Sequence, residues 1–141
     1  MFKKLLLFKA MPTRTDVGLL ALRLLVGVSL FVHHGLEKLF GFSRMAAHFP
    51  NPLHIGVVPS LLFATLSDGI CSVLLVLGLA TRWAAIVVFI NLFVVFAFVH
   101  HFVFFGRAGG EGELLVLYLG AVIALFLAGP GKYSIDGQLK K

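Results

Sequence analysis

From Trp83 to Gly106 the chain carries no Asp, Glu, Lys or Arg. A helix needs about 20 mostly apolar residues to cross the hydrocarbon core of a bilayer, and this run is long enough. Three more apolar stretches accompany it: Val17 to Phe40, interrupted by Arg23; Val57 to Ala80, interrupted by Asp68; and Glu113 to Ala128, bounded by Gly109-Gly110 and Gly129-Pro130-Gly131. Each is too long for a barrel strand, and in lipid a spanning segment must satisfy its own backbone. The sequence therefore predicts an all-α membrane protein, a four-transmembrane-helix bundle. Its proportions agree, because apolar residues make up 60% of the chain and charged ones 13%. A soluble domain has roughly 45–50% and 25%.

Charge placement then sets direction. Four spans put both termini on one side, with Lys3, Lys4, Lys9, Arg14, Arg82, Lys132, Lys140 and Lys141; the other side carries only Lys38, Arg44 and Arg107. Lys and Arg near span ends normally stay in the cytoplasm, so both termini are expected there. This accounts for the formal charge of +6, and no nucleic-acid partner is expected. The organisation read from the chain is a basic cytoplasmic segment (1–15), a membrane domain (16–131) and a basic cytoplasmic tail (132–141). Leu5-Leu6-Leu7-Phe8 is shorter than a signal h-region and lacks a small-residue cleavage site. It is expected to be retained as a short amphipathic helix on the cytoplasmic surface. The connection from Gly41 to Gly56 holds Pro50 and Pro52, with a short interfacial helix expected around Ser43 to Phe49. A tight turn is expected at Thr81-Arg82, and a glycine-rich loop from Arg107 to Gly112.

Polarity inside the spans is sparse and concentrated. Phe31-Val32-His33-His34 lies in the first span, and the same four letters return at Phe98-Val99-His100-His101 in the third. Ionisable side chains at membrane depth are costly and usually face a bundle interior or a cavity. The repeat fits either a tandem duplication, with spans one and two related to three and four by an axis along the membrane normal, or chance in a Phe- and Val-rich chain. At about 100° per residue from His33, Glu37 falls at about 40°, Arg23 at about 80°, His34 at about 100° and Lys38 at about 140°. One side of the first span thus carries all five. Asp68 is placed near mid-membrane on the second span, and Glu113 opens the fourth near the outer surface. The outer half of the bundle is expected to gather these groups into one polar chamber. Arg23 lies deeper and is expected to pair with Asp68, since an unpaired buried charge is hard to keep.

Asn91 reads as an interhelical hydrogen-bonding residue. Cys71 is the single cysteine, so the chain forms no internal disulfide or dithiol couple, and it reads as a small packing residue. A metal ion is one candidate occupant, with ligands from His33, His34, His100 and His101, because imidazole with carboxylate suits zinc, copper or iron. Axial ligation of a haem from the first and third spans follows the same logic, but no haem is expected. Gly18, Gly27, Gly78 and Gly120 offer close helix contacts, within the chain or in a homo-oligomer.

Several segments together resemble the DoxX family of small bacterial membrane proteins. They are Arg23, the stretch His34-Gly35-Leu36-Glu37-Lys38-Leu39-Phe40-Gly41, and Leu77-Gly78-Leu79-Ala80-Thr81-Arg82. Gly109-Gly110 with Glu113, and the closing Gly129-Pro130-Gly131-Lys132-Tyr133-Ser134-Ile135-Asp136, complete the set. The likeness covers about residues 16 to 137, in order. Asp68 stands where the family pattern leads one to expect glutamate, and the paired histidines are richer than that pattern. The resemblance implies a four-helix protein of the bacterial inner membrane, associated with quinone-linked sulfur oxidation or redox-stress complexes. A related small subunit belongs to a thiosulfate:quinone oxidoreductase.

The expected role is therefore a small subunit of a quinone-linked redox system, in sulfur or thiol oxidation or redox stress. His34, Glu37 and His33 would act in proton exchange, since histidine titrates near neutral pH and a carboxylate can relay the proton. Arg23, Lys38, Asp68, His100, His101 and Glu113 would hold the quinone. With no dithiol or flavin motif, electrons would arrive from a membrane or periplasmic redox partner protein or a bound reductant. Two alternatives stand beside it: a ligand- or metal-binding transport protein, and a non-catalytic assembly subunit whose polar seam only specifies packing.

Overall fold

The computed structural model describes residues 14–103 and 111–139. Four of its helices are long and apolar enough to cross a membrane: α1 (Thr15–Phe40), α3 (Val57–Leu77), α4 (Thr81–Val99) and α5 (Glu111–Ala128). Two short helices join them, α2 (Phe42–Met45) and α6 (Ile135–Leu139). The first, second and fourth expected spans are met to within three residues, whereas the third, expected to reach Gly106, already ends at Val99. The short interfacial helix is α2, slightly earlier than expected. Glu111 and Gly112, expected in a loop, already belong to α5. The N-terminal amphipathic helix and the rest of the Arg107–Gly112 loop lie outside the described residues.

Large apolar side chains face outward along the spans, among them Leu25, Trp83 and Leu127, each at least 70% exposed. Arg23, Ser67, Asp68, Ser72, Thr81 and Asn91 are buried instead. A water-soluble bundle would reverse this, so the surface suits a lipid solvent. At the centre Leu30 of α1, Leu75 of α3, Val88 of α4, and Val122 and Leu125 of α5 are at most 1% exposed.

Close packing of α1 on α3 depends on missing side chains. A Cβ at Gly27 would meet Val76 Cγ2 at 2.6 Å and the Ser72 carbonyl at 2.7 Å, and one at Gly35 would run into the Asp68 carbonyl. Outward-facing Gly120 has nothing within 4 Å of such a Cβ. Overpacking a tight contact costs about 1–3 kcal/mol. Gly35→Ala is accordingly expected to lower the unfolding temperature in detergent clearly, and Gly120→Ala to leave it unchanged.

Three helices carry a π-helical turn: Phe31–Gly35 in α1, Leu66–Cys71 in α3 and Val95–Val99 in α4. A π turn is an inserted residue, and such turns are frequent at functional sites. The two FVHH copies differ here. His33 and His34 sit inside the π turn of a continuing helix, whereas α4 stops before His100 and His101 has a positive φ of 48°.

Both described chain ends lie at one end of the bundle, termed here the terminal end; the connection between α1 and α3 lies at the far end. Gly78 takes a left-handed φ of 69° that stops α3, and α4 begins three residues later. Residues 131–136 are stitched across this turn. Asp136 accepts from the amides of Ala80 (2.8 Å) and Thr81 (2.9 Å), while its own amide donates to the Gly78 carbonyl (2.9 Å). Its carboxylate thereby caps the N-terminus of α4, where free amides and the helix dipole favour an anion. The Lys132 amide donates to Asp16 Oδ1 at 2.8 Å, tying the same segment to the start of α1.

Candidate functional site

Lys38 is only 8% exposed, on the last turns of α1. Its Nζ lies 2.9 Å from Asp68 Oδ2, within the π turn of α3, and donates more weakly to the His34 carbonyl at 3.4 Å. The other Asp68 oxygen accepts from Asn91 Nδ2 of α4 at 3.0 Å and from Ser67 Oγ at 3.1 Å. One carboxylate therefore draws donors from three helices. The expectation for Asn91 is met. Ser67 was not singled out in the sequence, where a serine beside an aspartate has no distinguishing pattern.

The expected pairing of Arg23 with Asp68 is not what forms. Arg23 is fully buried, but its guanidinium donates to the carbonyls of Leu75 (3.5 Å), Val76 (3.4 Å) and Tyr133. Those carbonyls belong to the last turn of α3 and to the stitched segment, so Arg23 serves the terminal end of the bundle. Lys38 takes the place the sequence gave to Arg23. It reaches Asp68 because Gly35 lets α1 lie against the Asp68 backbone.

The cluster forms one wall of a cavity of about 600 Å³. Lys38, Asp68, Asn91 and His34 line its polar part. Apart from Ser60 the rest is apolar, with Leu30, Phe63, Ala64, Ile90 and Val94 from the spans, and Phe49, Pro50, Pro52, Leu53 and Ile55 from the α2–α3 connection. Asn51 holds that connection in place, its Oδ1 accepting from the Gly56 amide (3.1 Å) and Ser60 Oγ (3.3 Å). These loop residues escaped the sequence reading, although a connection as apolar as Phe49 to Ile55 was a signal that it covers something.

The remaining expected residues are spread out. His34 is exposed yet contributes to the cavity wall; His33, Glu37, His101 and Glu113 are exposed and do not line it. His100 lies 3.5 Å from Glu111 Oε2. Among the described residues no three His, Cys, Asp or Glu side chains are grouped so as to hold a metal ion. Cys71 is free and buried, as a packing residue should be. Of the four glycines, Gly27 and Gly78 are used within the chain, while Gly18 and Gly120 face outward with open space around them.

The geometry can do two things. It offers a compensated charge pair whose spare donors face an apolar chamber: an ammonium has three N–H groups and a carboxamide two, and the contacts above leave one on each. It also places one imidazole between that chamber and the outside. Against known proteins, the DoxX family model matches residues 18–101, a stretch that holds Arg23, Lys38, Asp68, Asn91 and the α2–α3 connection. Among curated proteins and among solved structures, nothing matches the chain.

Proposed function

This chain belongs to the DoxX family, and from that premise we propose that it is the quinone-binding subunit of a membrane redox system. The observation that carries the reading is the polar cluster of Lys38, Asp68 and Asn91 set into the wall of an otherwise apolar cavity of about 600 Å³. Ligand pockets of this kind are about 300–1,000 Å³, mostly apolar, with a few placed polar groups. A quinone fits the donor set, since its carbonyl oxygens accept hydrogen bonds and its ring and tail are apolar. When bound, a quinone accepts electrons and protons at those oxygens.

The side chains divide the work. Lys38 Nζ and Asn91 Nδ2 turn their remaining N–H groups to the headgroup and fix its orientation. Asp68 holds both donors in place and keeps the ammonium compensated. His34 touches both the chamber and its surroundings, so it passes protons between them, as an imidazole with one donor and one acceptor nitrogen can. Cys71 is buried, and electrons come from a partner protein or a reductant docked at the far end. Under the charge asymmetry of the sequence that end faces the periplasmic side of a bacterial inner membrane.

The test is decylbenzoquinone binding to the protein in nanodiscs, comparing wild type with Lys38→Met, Asp68→Leu combined. The double change removes the charges together and spares the fold a lone buried ion. A charge-assisted hydrogen bond contributes about 1.5–3 kcal/mol, so affinity is expected to fall about tenfold or more. Equal affinity in both proteins would leave the cluster a structural one and move the reading to an assembly subunit. His34→Gln is expected to retain binding but slow proton uptake on quinone reduction, read by a pH dye.

A further inference from the structure

Among the described residues, α3 packs on α4 through Leu66–Cys71 and Ser72–Leu77, but its far-end part, Val57–Thr65, makes no extended contact with either Thr81–Val94 or Val95–Val99. The two helices therefore meet towards the terminal end and part towards the far end. The cavity occupies the gap, with Phe63 on one flank and Ile90 and Val94 on the other. Above it lies the connection pinned by Asn51. The rim is apolar and faces outward: Ile90 is 45% exposed and Leu53 46%.

We infer that the gap between Val57–Thr65 and α4 is a lateral portal, through which a single-chain membrane amphiphile with a neutral, hydrogen-bond-accepting head reaches Lys38 and Asn91 from the surrounding leaflet. This deepens the quinone reading and rests on it for the headgroup, but not for the route. The route follows from the fold. A molecule arriving from water would have to lift Phe49, Leu53 and Ile55 off the chamber against the Asn51 bonds, whereas one arriving from lipid meets only apolar rim. The head is neutral because Lys38 and Asp68 already compensate each other, and a charged head would leave net charge in an apolar chamber, at several kcal/mol. A single chain fits because the mouth is the gap between two helices, and the tail stays in it, shielded from water by the loop above.

The probe is a long-chain alcohol with a photoactivatable diazirine beside its hydroxyl, incorporated with the protein in nanodiscs and mapped by peptide mass spectrometry. Labels are expected on Leu30, Ala64 or Leu92, which line the cavity and are at most 5% exposed. Ile90→Trp, or Val94→Trp as an independent plug, is expected to abolish those labels and spare those on outward-facing Leu25 and Leu127. Both plugs sit on the rim rather than in the core, so the bundle accommodates them. Asn51→Ala, which loosens the loop, is expected to leave cavity labelling unchanged. Labels confined to lipid-facing residues would overturn the portal, as would plugs without effect combined with stronger labelling in Asn51→Ala. Excess decylbenzoquinone separates the two readings: cavity labels that it does not displace keep the portal and remove the quinone.

Discussion

Asp68→Ala is expected to be the most damaging single substitution in the bundle. It removes the carboxylate that accepts from Lys38, Asn91 and Ser67, and it leaves an ammonium only 8% exposed without its counter-ion. Breaking a buried ion pair from one side costs about 3–5 kcal/mol, because the surviving charge has lost both water and partner. Replacing such a pair by apolar groups of similar volume is often neutral or stabilising. Lys38→Met, Asp68→Leu is therefore expected to regain most of the stability lost in Asp68→Ala, measured by thermal unfolding in the same detergent. A double variant as unstable as the single one would mean that the cluster holds the three helices in register by more than its charge. The cycle also separates stability from function, since the double variant is the one expected to fold and fail to bind.

The second large effect is expected at Arg23. The last carbonyls of any helix lack intrahelical partners, and a cation there is favoured by the helix dipole. Arg23 supplies both for α3 while also reaching the Tyr133 carbonyl across the terminal end. Arg23→Met keeps the length of the stem but takes the guanidinium donors away from those carbonyls, of which Leu75 keeps only its bond from the Gly78 amide. Hydrogen bonds from charged donors contribute about 1.5–3 kcal/mol each, so a loss of about 3 kcal/mol or more is expected. Arg23→Lys restores part of it, since a single ammonium cannot span the fork of a guanidinium. The distinctive readout is local. With Tyr133 released, trypsin should cut after Lys132 well before the bundle unfolds, and in wild type the two should coincide.

The spans were legible in the sequence because a bilayer imposes a length and a polarity that few other structures meet. Asp68 and Asn91 were also legible as polar residues that need partners in lipid. What could not be read was which partner. The stripe of His33, His34, Glu37 and Lys38 was laid out on a uniform helix, but α1 makes a π turn at Phe31–Gly35. One inserted residue sets every later side chain back by about 100° relative to Arg23. Lys38 then turns inward to α3 while His33 and Glu37 face outward. Nothing in Phe31-Val32-His33-His34-Gly35 announces a π turn; the close approach of Gly35 to the Asp68 backbone is a tertiary fact. The histidine doublets drew attention by their letters, yet the chamber takes only His34 from them. The cavity itself depends on α3 and α4 parting, and a crossing geometry leaves no periodic trace in either helix.

The stitched segment has a consequence for how the protein is made. Residues 131–136 leave the ribosome after all four spans, and chains form their N-terminal parts first. Until that segment arrives, the α3–α4 turn lacks the Asp136 carboxylate, Arg23 lacks the Tyr133 carbonyl, and the start of α1 lacks Lys132. Insertion of the spans and closure of the bundle are thus separate events. A chain cut short after α5 would be threaded through the membrane yet left unlatched, and membrane quality-control proteases would have an open end to seize.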